Sequence, residues 1–519
     1  MAAAALAKSL PMRGFKGGFF AAPKVPAPSL CSRYLAAAKH SPLARAAATV
    51  ASGTQSTPAA TPAPAFLEVT STTAPGLARM AQKALVEGSL GEAQWQAFAA
   101  RASQLAPEMS VPEAAKLAAA FSTARFGDFE LFSRLSARTL ERLRAIEATE
   151  EGTLGGEGRS EFQAVELRRL ALAFGRARSF DSELMEALVP VIAERANDFR
   201  PRDLTQIADA YARMPVADAD FFAFLADVLA PYVYDLSAPE LARLCRAFAN
   251  AAVYSEDLFD ALCSEAKQRA RTFGALDALT FIDALSRVQV SLPEDMLRED
   301  SEVIRELAHR VAVGLGTLSP SELIRAFKAL VQLDYYDRRL VHGKLCPALA
   351  NRLAQLQGPS AFAELIDLLN CLSLLPAQSQ RSAELTSTTL AAIRSKGYPL
   401  TGRPEPKALA LLVQSLVQLG QDDEELYELV GSAITQGSAS TPSQQTARQT
   451  TAQPHSLLSL VSDEELEELH QALALATSPS AKARLSVARQ AITTELKRRK
   501  ALDAATTHGG IDAETDPEL

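Results

Sequence analysis

An internal repeat constrains the fold of this chain more than any other feature. A pattern of two helices joined by a short turn, clearest between residues 234 and 270, recurs from about residue 107 to 434. Each repeat has an apolar anchor near the end of its first helix and, in most repeats, a second bulky apolar residue 11 positions later. The anchors of repeats 1 to 8 are Phe121, Phe174, Tyr211, Phe248, Leu285, Leu330, Leu372 and Leu416, and four of them follow one another at 37-residue steps. The second markers are Phe132, Met185, Phe222, Phe259, Met296, Val341 and Tyr427, whereas Ala383 breaks the pattern in repeat 7.

These spacings predict an all-α fold. A single hairpin cannot bury its apolar face alone, so neighbouring hairpins must stack into a solenoid. We therefore predict a right-handed α-solenoid of about eight stacked helical hairpins with a C-terminal helical extension.

A carboxylate stands eight residues before most anchors. Three of these residues complete a serine–glutamate capping box, which predicts that the carboxylate starts a helix and has no catalytic role. The carboxylates are Glu113, Glu166, Asp203, Glu240, Asp277, Glu322 and Glu364, and the three boxes pair Ser110 with Glu113, Ser237 with Glu240 and Ser319 with Glu322.

The repeats resemble a known family. The 37-residue period, a first helix ending ELxRLxRAF and a second helix opening with DLF or ELF resemble the heptatricopeptide repeats of organellar proteins. These are relatives of the octotricopeptide and RAP-associated helical repeats of algae and apicomplexan-type protists. The resemblance covers residues 107–434 and is clearest around Phe174, Tyr211 and Phe248. It implies an α-solenoid that acts on RNA in mitochondria, in RNA processing and stability or in the mitochondrial ribosome. The terminal RAP domain common in the family is not visible, which removes the main reason to expect cleavage.

The first 66 residues have the composition of an organellar address. They contain seven Lys or Arg and no Asp or Glu, within Ala-, Ser- and Pro-rich sequence. This is typical of a mitochondrial or plastid transit peptide, with a processing point near residues 31–34. A disordered leader without a targeting role is the alternative. We predict the mitochondrial matrix as the location, with a plastid as the second possibility.

The remaining chain divides by composition. We predict N-terminal capping helices in residues 67–106, where Trp95 is expected to be a buried cap residue. The repeats follow in residues 107–434, with a Gly-rich acidic loop at residues 147–158. We then expect a flexible Ser/Thr/Gln/Pro-rich linker in residues 435–456, C-terminal helices in residues 457–500 and a disordered tail in residues 501–519.

Charge argues against a purely electrostatic RNA-binding protein. The chain has 53 Lys and Arg against 61 Asp and Glu, and 46 against 61 without the seven leader cations. A protein that binds nucleic acid through phosphates needs a basic surface, so RNA contacts require a local basic strip. The candidates are Lys116, Arg169, Arg243 and Arg325, five residues before their anchors, with Arg246 and the helix-terminal run Lys497, Arg498, Arg499 and Lys500. Surface ion pairs with the carboxylate three residues earlier, and helix-dipole interactions for the terminal run, are the alternative.

Enzymatic and metal chemistry have no support in the sequence. The six histidines form no HxxxH or HExxH pair, and there is no P-loop, Gly-x-Ser-x-Gly or kinase motif. Cys245, Cys263, Cys346 and Cys371 form no CxxC pair and are interpreted as reduced core thiols. No uncharged apolar run approaches the roughly 20 residues that span a bilayer. We expect a non-enzyme without metal, cofactor, small-molecule substrate or membrane span.

Two classes of function remain open. The first is a mitochondrial helical-repeat protein that binds or scaffolds RNA, with ribosomal RNA stability or assembly, or a place in the mitoribosome beside its proteins, as the favoured roles. The second is a scaffold or accessory subunit of a respiratory or ATP-synthase complex that contacts protein only.

Overall fold

The computed structural model describes residues 72–87, 91–150, 161–177, 181–215, 217–288, 302–358, 360–395, 405–435 and 461–508. These residues form helices and turns and contain no strand, which confirms the all-α solenoid. The handedness stays a prediction. The predicted leader, the second marker Met296, residues 151–158 of the predicted acidic loop and residues 436–456 of the predicted linker lie outside the described residues. Contacts divide the chain into two compact bodies, Met1–Glu166 and Leu167–Leu519.

Each repeat contains the predicted pair of helices. The first helices of repeats 1 to 8 span Val111–Thr123, Ala164–Arg176, Pro201–Tyr211, Ala238–Ala251, Ala275–Val288, Pro320–Gln332, Ala361–Ser373 and Pro406–Gln418. The second helices span Phe129–Glu150, Ser182–Glu194, Ala219–Leu229, Glu256–Gln268, Glu302–Val313, Arg338–Ala350, Gln380–Ser395 and Glu424–Thr435, where the sixth consists of the consecutive segments Arg338–Leu340, Val341–Leu345 and Cys346–Ala350.

The anchors form the core. All eight are at most 2% exposed, as are the second markers within the described residues, whereas Ala383 is exposed. The Phe222 and Phe248 rings meet edge to face with centroids 5.2 Å apart, which joins the second helix of repeat 3 to the anchor of repeat 4. The one tyrosine anchor, Tyr211, donates a 2.8 Å hydrogen bond to the Met185 carbonyl of repeat 2, so its hydroxyl is satisfied inside the core.

The second body has two layers of helices. From repeat 3 onward the first helices pack on one another in order along the chain, and the second helices of repeats 3 to 5 pack on one another likewise. The step from repeat 2 to repeat 3 depends on Gly175. A Cβ added at Gly175 would lie 2.7 Å from the Ala210 Cβ and 2.9 Å from its Cα, so only glycine allows this close approach.

The predicted helix starts are confirmed. The serine N–H of each capping box donates to its glutamate carboxylate, at 2.9 Å for Ser110, 2.8 Å for Ser237 and 2.7 Å for Ser319. A further hydrogen bond, which the sequence does not predict, joins the two helices of several hairpins at their open end. An arginine in or just after the second helix donates to the carbonyl just before the first helix, as in the pairs Arg138–Met109, Arg269–Leu236, Arg310–Phe273 and Arg352–Leu318, at 2.6 to 3.1 Å.

A π-helical turn, Val341–Leu345, interrupts the second helix of repeat 6 just before Pro347, which has no N–H to donate to a regular helix. His342 in this turn is buried, and its ring nitrogens contact the Tyr336 hydroxyl at 2.7 Å and the Ser379 hydroxyl at 2.8 Å. Burial lowers the pKa of His342. The turn therefore ties repeat 6 to repeat 7 through a neutral imidazole.

Both ends of the described chain are helical hairpins. Ala74–Glu87 and Glu92–Leu105 pack on the two helices of repeat 1, and Trp95 is 7% exposed with its ring 5.1 Å from that of Phe121. At the other end, Asp463–Leu475 packs on Pro406–Gln418 and Pro479–His508 on Glu424–Thr435. The C-terminal helices thus continue the stack as a ninth hairpin.

Two predicted boundaries were wrong. The last helix continues to His508, whereas the sequence predicts a disordered tail from residue 501. The added stretch ALDAATTH is rich in alanine and contains no glycine or proline, so nothing in it ends a helix. Likewise, the backbone of residues 147–150 continues the helix Phe129–Glu150, where a loop was expected from residue 147. No helix among the described residues is both long and apolar enough to cross a bilayer.

Candidate nucleic-acid interface

The first helices expose a single side. In repeat 4 the positions five and two residues before the anchor and two residues after it are Arg243, Arg246 and Asn250, and all three are accessible, whereas Leu241, Leu244 and the anchor are buried. Helical spacing of three and four residues places these accessible positions in one row. We call the corresponding row in repeats 2 to 6 the first-helix face. Its members are Arg169, Leu172, Arg176, Gln206, Asp209, Arg213, Arg243, Arg246, Asn250, Thr280, Asp283, Arg287, Arg325, Lys328 and Gln332.

The first-helix face is basic although the chain is acidic. It holds eight Lys or Arg and two Asp, whereas residues 141–340 as a whole hold 24 Lys or Arg against 34 Asp or Glu. The other carboxylates of the same helices stand mainly at the helix starts, where Glu240 and Glu322 accept capping hydrogen bonds. The local basic strip that RNA binding requires is therefore present on this side of the first helices.

Asp209 joins two arginines across a repeat boundary. Its Oδ2 lies 2.7 Å from Arg213 Nη2 in the same repeat, and its Oδ1 lies 2.7 Å from Arg246 Nη2 in the next. The aspartate side chain is 11% exposed, while the arginines are 42% and 37% exposed. A nearly buried carboxylate thus holds two accessible guanidinium groups side by side, and the three groups together carry one net positive charge.

Asp283 forms a second cluster of the same kind two repeats later. Its Oδ2 lies 2.8 Å from Arg287 Nη2 in the same repeat and 3.9 Å from Arg325 Nε in the next. Arg287 also donates a 2.6 Å hydrogen bond to the Asn250 side chain of repeat 4. Asn250 occupies the position that Arg213 has in repeat 3, so the polar contacts continue from repeat 3 to repeat 6.

The same row of contacts extends on both sides. Arg168 donates to the Gln206 side chain at 3.1 Å between repeats 2 and 3. Lys328 donates to Asp367 at 2.8 Å between repeats 6 and 7. Beyond repeat 6 the corresponding positions carry no cation, since they are Asp367, Asn370, Leu374, Leu411, Gln414 and Gln418. The basic part of the face is thus confined to residues 169–328.

The predicted cations five residues before the anchors fall on this row. Arg169, Arg243 and Arg325 belong to the first-helix face, and Lys116 holds the same position in repeat 1 of the first body. Among the described residues Arg243 and Lys116 have no ion pair. The alternative, an ion pair with the carboxylate three residues earlier, is wrong for Lys116, Arg243 and Arg325. Their carboxylates instead accept the serine N–H of a capping box, and Arg325 faces Asp283.

The terminal cations lie elsewhere. Three of them stabilise the C-terminal hairpin: Arg498 pairs with Glu495 at 2.7 Å, Arg499 with Asp463 at 2.6 Å and Lys500 with Glu467 at 3.0 Å. Hydrogen bonds from Arg498 and Arg499 lower the pKa of Glu495 to about 2. Lys497 is exposed and has no ion pair among the described residues. The helix that carries these four terminal cations packs on repeat 8 and belongs to the stack. Within the described residues the basic run is therefore not part of a separate arm.

The described residues offer no site for metal or thiol chemistry. They contain no group of three or more His, Cys, Asp or Glu that could hold a metal ion. The four cysteines among these residues are buried and free of disulfides. Burial raises the pKa of Cys263 and Cys371 to about 12 and that of Cys346 to about 11, and raises that of Cys245 well above its usual value. These thiols are therefore poor nucleophiles and poor metal ligands at neutral pH.

Comparison with known proteins finds a matching family and, among 23 matching solved chains, the structure of a tandem repeat protein. Residues 141–340 match the family described as "RNA-editing substrate-binding complex 6 protein", a match that covers less than half of the chain. The solved structure is titled "Circular tandem repeat protein with novel repeat topology and enhanced subunit contact surfaces". It shares 16% identity over 84% of this chain and 91% of its own, with a TM-score of 0.20, which is too low to define the fold. A search of curated proteins finds no match. The family match contains the whole first-helix face.

Proposed function

We propose that this helical-repeat protein binds RNA on the first-helix face and serves as a scaffold in a mitochondrial RNA-processing complex. The observation that carries the proposal is the row of eight cations and only two carboxylates on one side of the first helices of repeats 2 to 6, in a chain of net charge −8. Such a row attracts phosphates whatever the total charge of the chain, because salt screens electrostatic interactions beyond about 8–10 Å at physiological ionic strength.

The family match narrows the kind of RNA. The printed family name refers to RNA-editing substrates, so we propose an RNA that undergoes processing as the ligand and a multiprotein complex as the setting. Ribosomal RNA and a place in the mitoribosome remain sequence predictions without further support. The mitochondrial location depends on the composition of residues 1–66, and the heptatricopeptide assignment on the resemblance of the repeats. The proposal includes no reaction, cofactor or small-molecule substrate.

Neutralising three cations of the face tests the proposal. Arg176→Gln, Arg243→Gln and Arg325→Gln remove charges that make no close ion pair among the described residues; the nearest contact is the 3.9 Å one from Arg325 to Asp283. The fold should therefore survive. We expect the triple variant to bind a 30-nucleotide RNA roughly tenfold more weakly, since each lost phosphate contact lowers affinity and salt dependence. Fluorescence anisotropy measures the affinity, and circular dichroism checks the fold.

The matched control removes the same number of positive charges from a different part of the surface. Lys267→Gln, Arg271→Gln and Arg305→Gln remove three exposed cations in or just after second helices. This variant should bind within about twofold of the wild-type chain, because distant surface charges are screened. Equal weakening in both variants would show that only net charge matters and would contradict the proposal. A wild-type chain that binds no RNA but co-purifies with a protein assembly would favour the protein-scaffold alternative.

A further inference from the structure

Two buried aspartates of the first-helix face each lie between two arginines. Asp209 contacts both of its arginines at 2.7 Å, whereas Asp283 contacts Arg287 at 2.8 Å and faces Arg325 at 3.9 Å. We infer that Asp209 and Asp283 are positioning residues that hold their arginine pairs ready for RNA phosphates, so that the face binds the RNA backbone regardless of base sequence. This inference rests on the proposed function and specifies its mode of binding.

The two clusters share one design. In each, the aspartate lies two residues before its anchor, one arginine lies four residues later in the same repeat, and the second arginine lies on the next repeat. Helical spacing brings the first pair together, and the stacking of the first helices brings the second. The same arrangement therefore recurs in repeats 3–4 and 5–6, two repeats apart.

The arginines retain most of their binding capacity. A guanidinium group has five N–H donors in a planar fork. Arg213 and Arg246 each use one terminal nitrogen to contact Asp209, and both side chains remain more than a third exposed. A phosphate can still accept the two parallel hydrogen bonds that arginine forms with oxyanions.

The ratio of two arginines to one aspartate in each cluster favours an anion as the ligand. One aspartate neutralises one arginine, so each cluster keeps one positive charge that no described carboxylate balances at hydrogen-bonding distance. Since the aspartate is nearly buried and the arginines are accessible, an incoming phosphate meets the guanidinium groups first. Arg213, Arg246 and Arg287 are already held by hydrogen bonds to an aspartate, so they lose less conformational entropy on binding than free arginines would.

The composition of the face indicates sequence-tolerant binding. None of its fifteen positions is aromatic, so it offers no platform on which bases could stack. Contacts to phosphates fix the position of a nucleic acid but do not read its sequence. We therefore expect oligonucleotides of one length, such as a poly(U) and a mixed-sequence RNA, to bind with equal affinity within about threefold.

Replacing both aspartates separates positioning from simple charge. Asp209→Asn with Asp283→Asn adds two positive charges to a basic face, so simple electrostatics predicts tighter RNA binding. If the aspartates position the arginines, affinity falls instead, by roughly fivefold, and the slope of log K against log salt decreases by about 0.7 for each phosphate contact that is lost. Asp227→Asn with Asp260→Asn is the matched control, because it makes the same charge change at exposed second-helix positions and should bind as the wild type does.

A second variant keeps the test decisive if the double variant loses its fold. Arg246→Lys retains the charge beside Asp209 but not the planar fork, and we expect roughly threefold weaker binding with an unchanged melting curve. Equal or tighter binding by the aspartate variant, or by Arg246→Lys, overturns the inference. The proposed function survives that result if the Arg176, Arg243 and Arg325 variant still binds weakly, and fails separately if the wild-type chain binds no RNA.

Discussion

The two layers of helices carry opposite charge. The first-helix face of repeats 2 to 6 holds eight cations and two carboxylates, whereas the second helices of the same repeats hold six cations and eleven carboxylates. These carboxylates are Glu183, Glu186, Glu194, Asp220, Asp227, Glu256, Asp257, Asp260, Glu265, Glu302 and Glu306. Both layers share the same core, since the anchors and the second markers within the described residues are equally buried.

The difference shows that packing and surface charge are specified separately in a repeat. Core positions must be apolar in every repeat because each hairpin packs on its neighbours. Accessible positions are free of that constraint, and here they differ between the two layers. A net charge of −8 averages a basic side with an acidic one, so it gives no information about whether either side can bind RNA.

Removing a core residue that both layers of helices share should destabilise both layers together. Phe248→Ala deletes a fully buried ring that contacts Phe222 of the neighbouring repeat. We expect a loss of about 3–5 kcal/mol in the free energy of unfolding, from lost burial and the cavity left behind, and weaker RNA binding because the first helices lose their register. Urea denaturation measures the first effect. Leu276→Ala, at a position 48% exposed on the first helix of repeat 5, should change stability by less than about 0.5 kcal/mol. Similar losses in both variants would contradict the assigned core.

Adding cations to the second helices should show whether net charge or the position of the cations governs RNA binding. Glu186→Lys, Asp227→Lys and Asp260→Lys reverse three exposed carboxylates and raise the net charge by six. If RNA binds the cations of the first-helix face, the three new lysines on the second helices should raise the RNA affinity at 150 mM salt by no more than about threefold. A much larger gain, measured by fluorescence anisotropy, would show that net charge governs binding.

Much of the fold follows from the sequence because its signals are local. The 37-residue period predicted the buried anchors, the serine–glutamate boxes predicted the helix starts, and Trp95 is buried as a cap residue should be. The C-terminal hairpin was not recognised as part of the stack, because residues 436–460 separate it from repeat 8 and obscure the period. The end of the last helix was also missed, because the basic run Lys497–Lys500 resembles a helix C-terminus, although helix propensity continues to His508 without a break.

The site was only half visible in the sequence. Arg169, Arg243, Arg246 and Arg325 could be found because cations recur near the anchors. The role of Asp209 and Asp283 could not, because an aspartate with one arginine four residues later resembles any surface ion pair. The second arginine comes from the next repeat, and only the packing of the first helices shows that it is close. A capping bond and an ion pair also compete for the same glutamate, and the sequence does not show which one forms.

Protection of individual arginines by RNA tests the central claim most directly. The full-length chain can be treated with phenylglyoxal, which modifies accessible arginines, with and without a saturating 30-nucleotide RNA, and each site can then be quantified by mass spectrometry. The account predicts protection of Arg213, Arg243, Arg246 and Arg287, with Arg271 and Arg305 modified equally in both samples. Protection of Arg271 and Arg305, with the first-helix arginines still reactive, would place the RNA on the opposite layer and contradict the account.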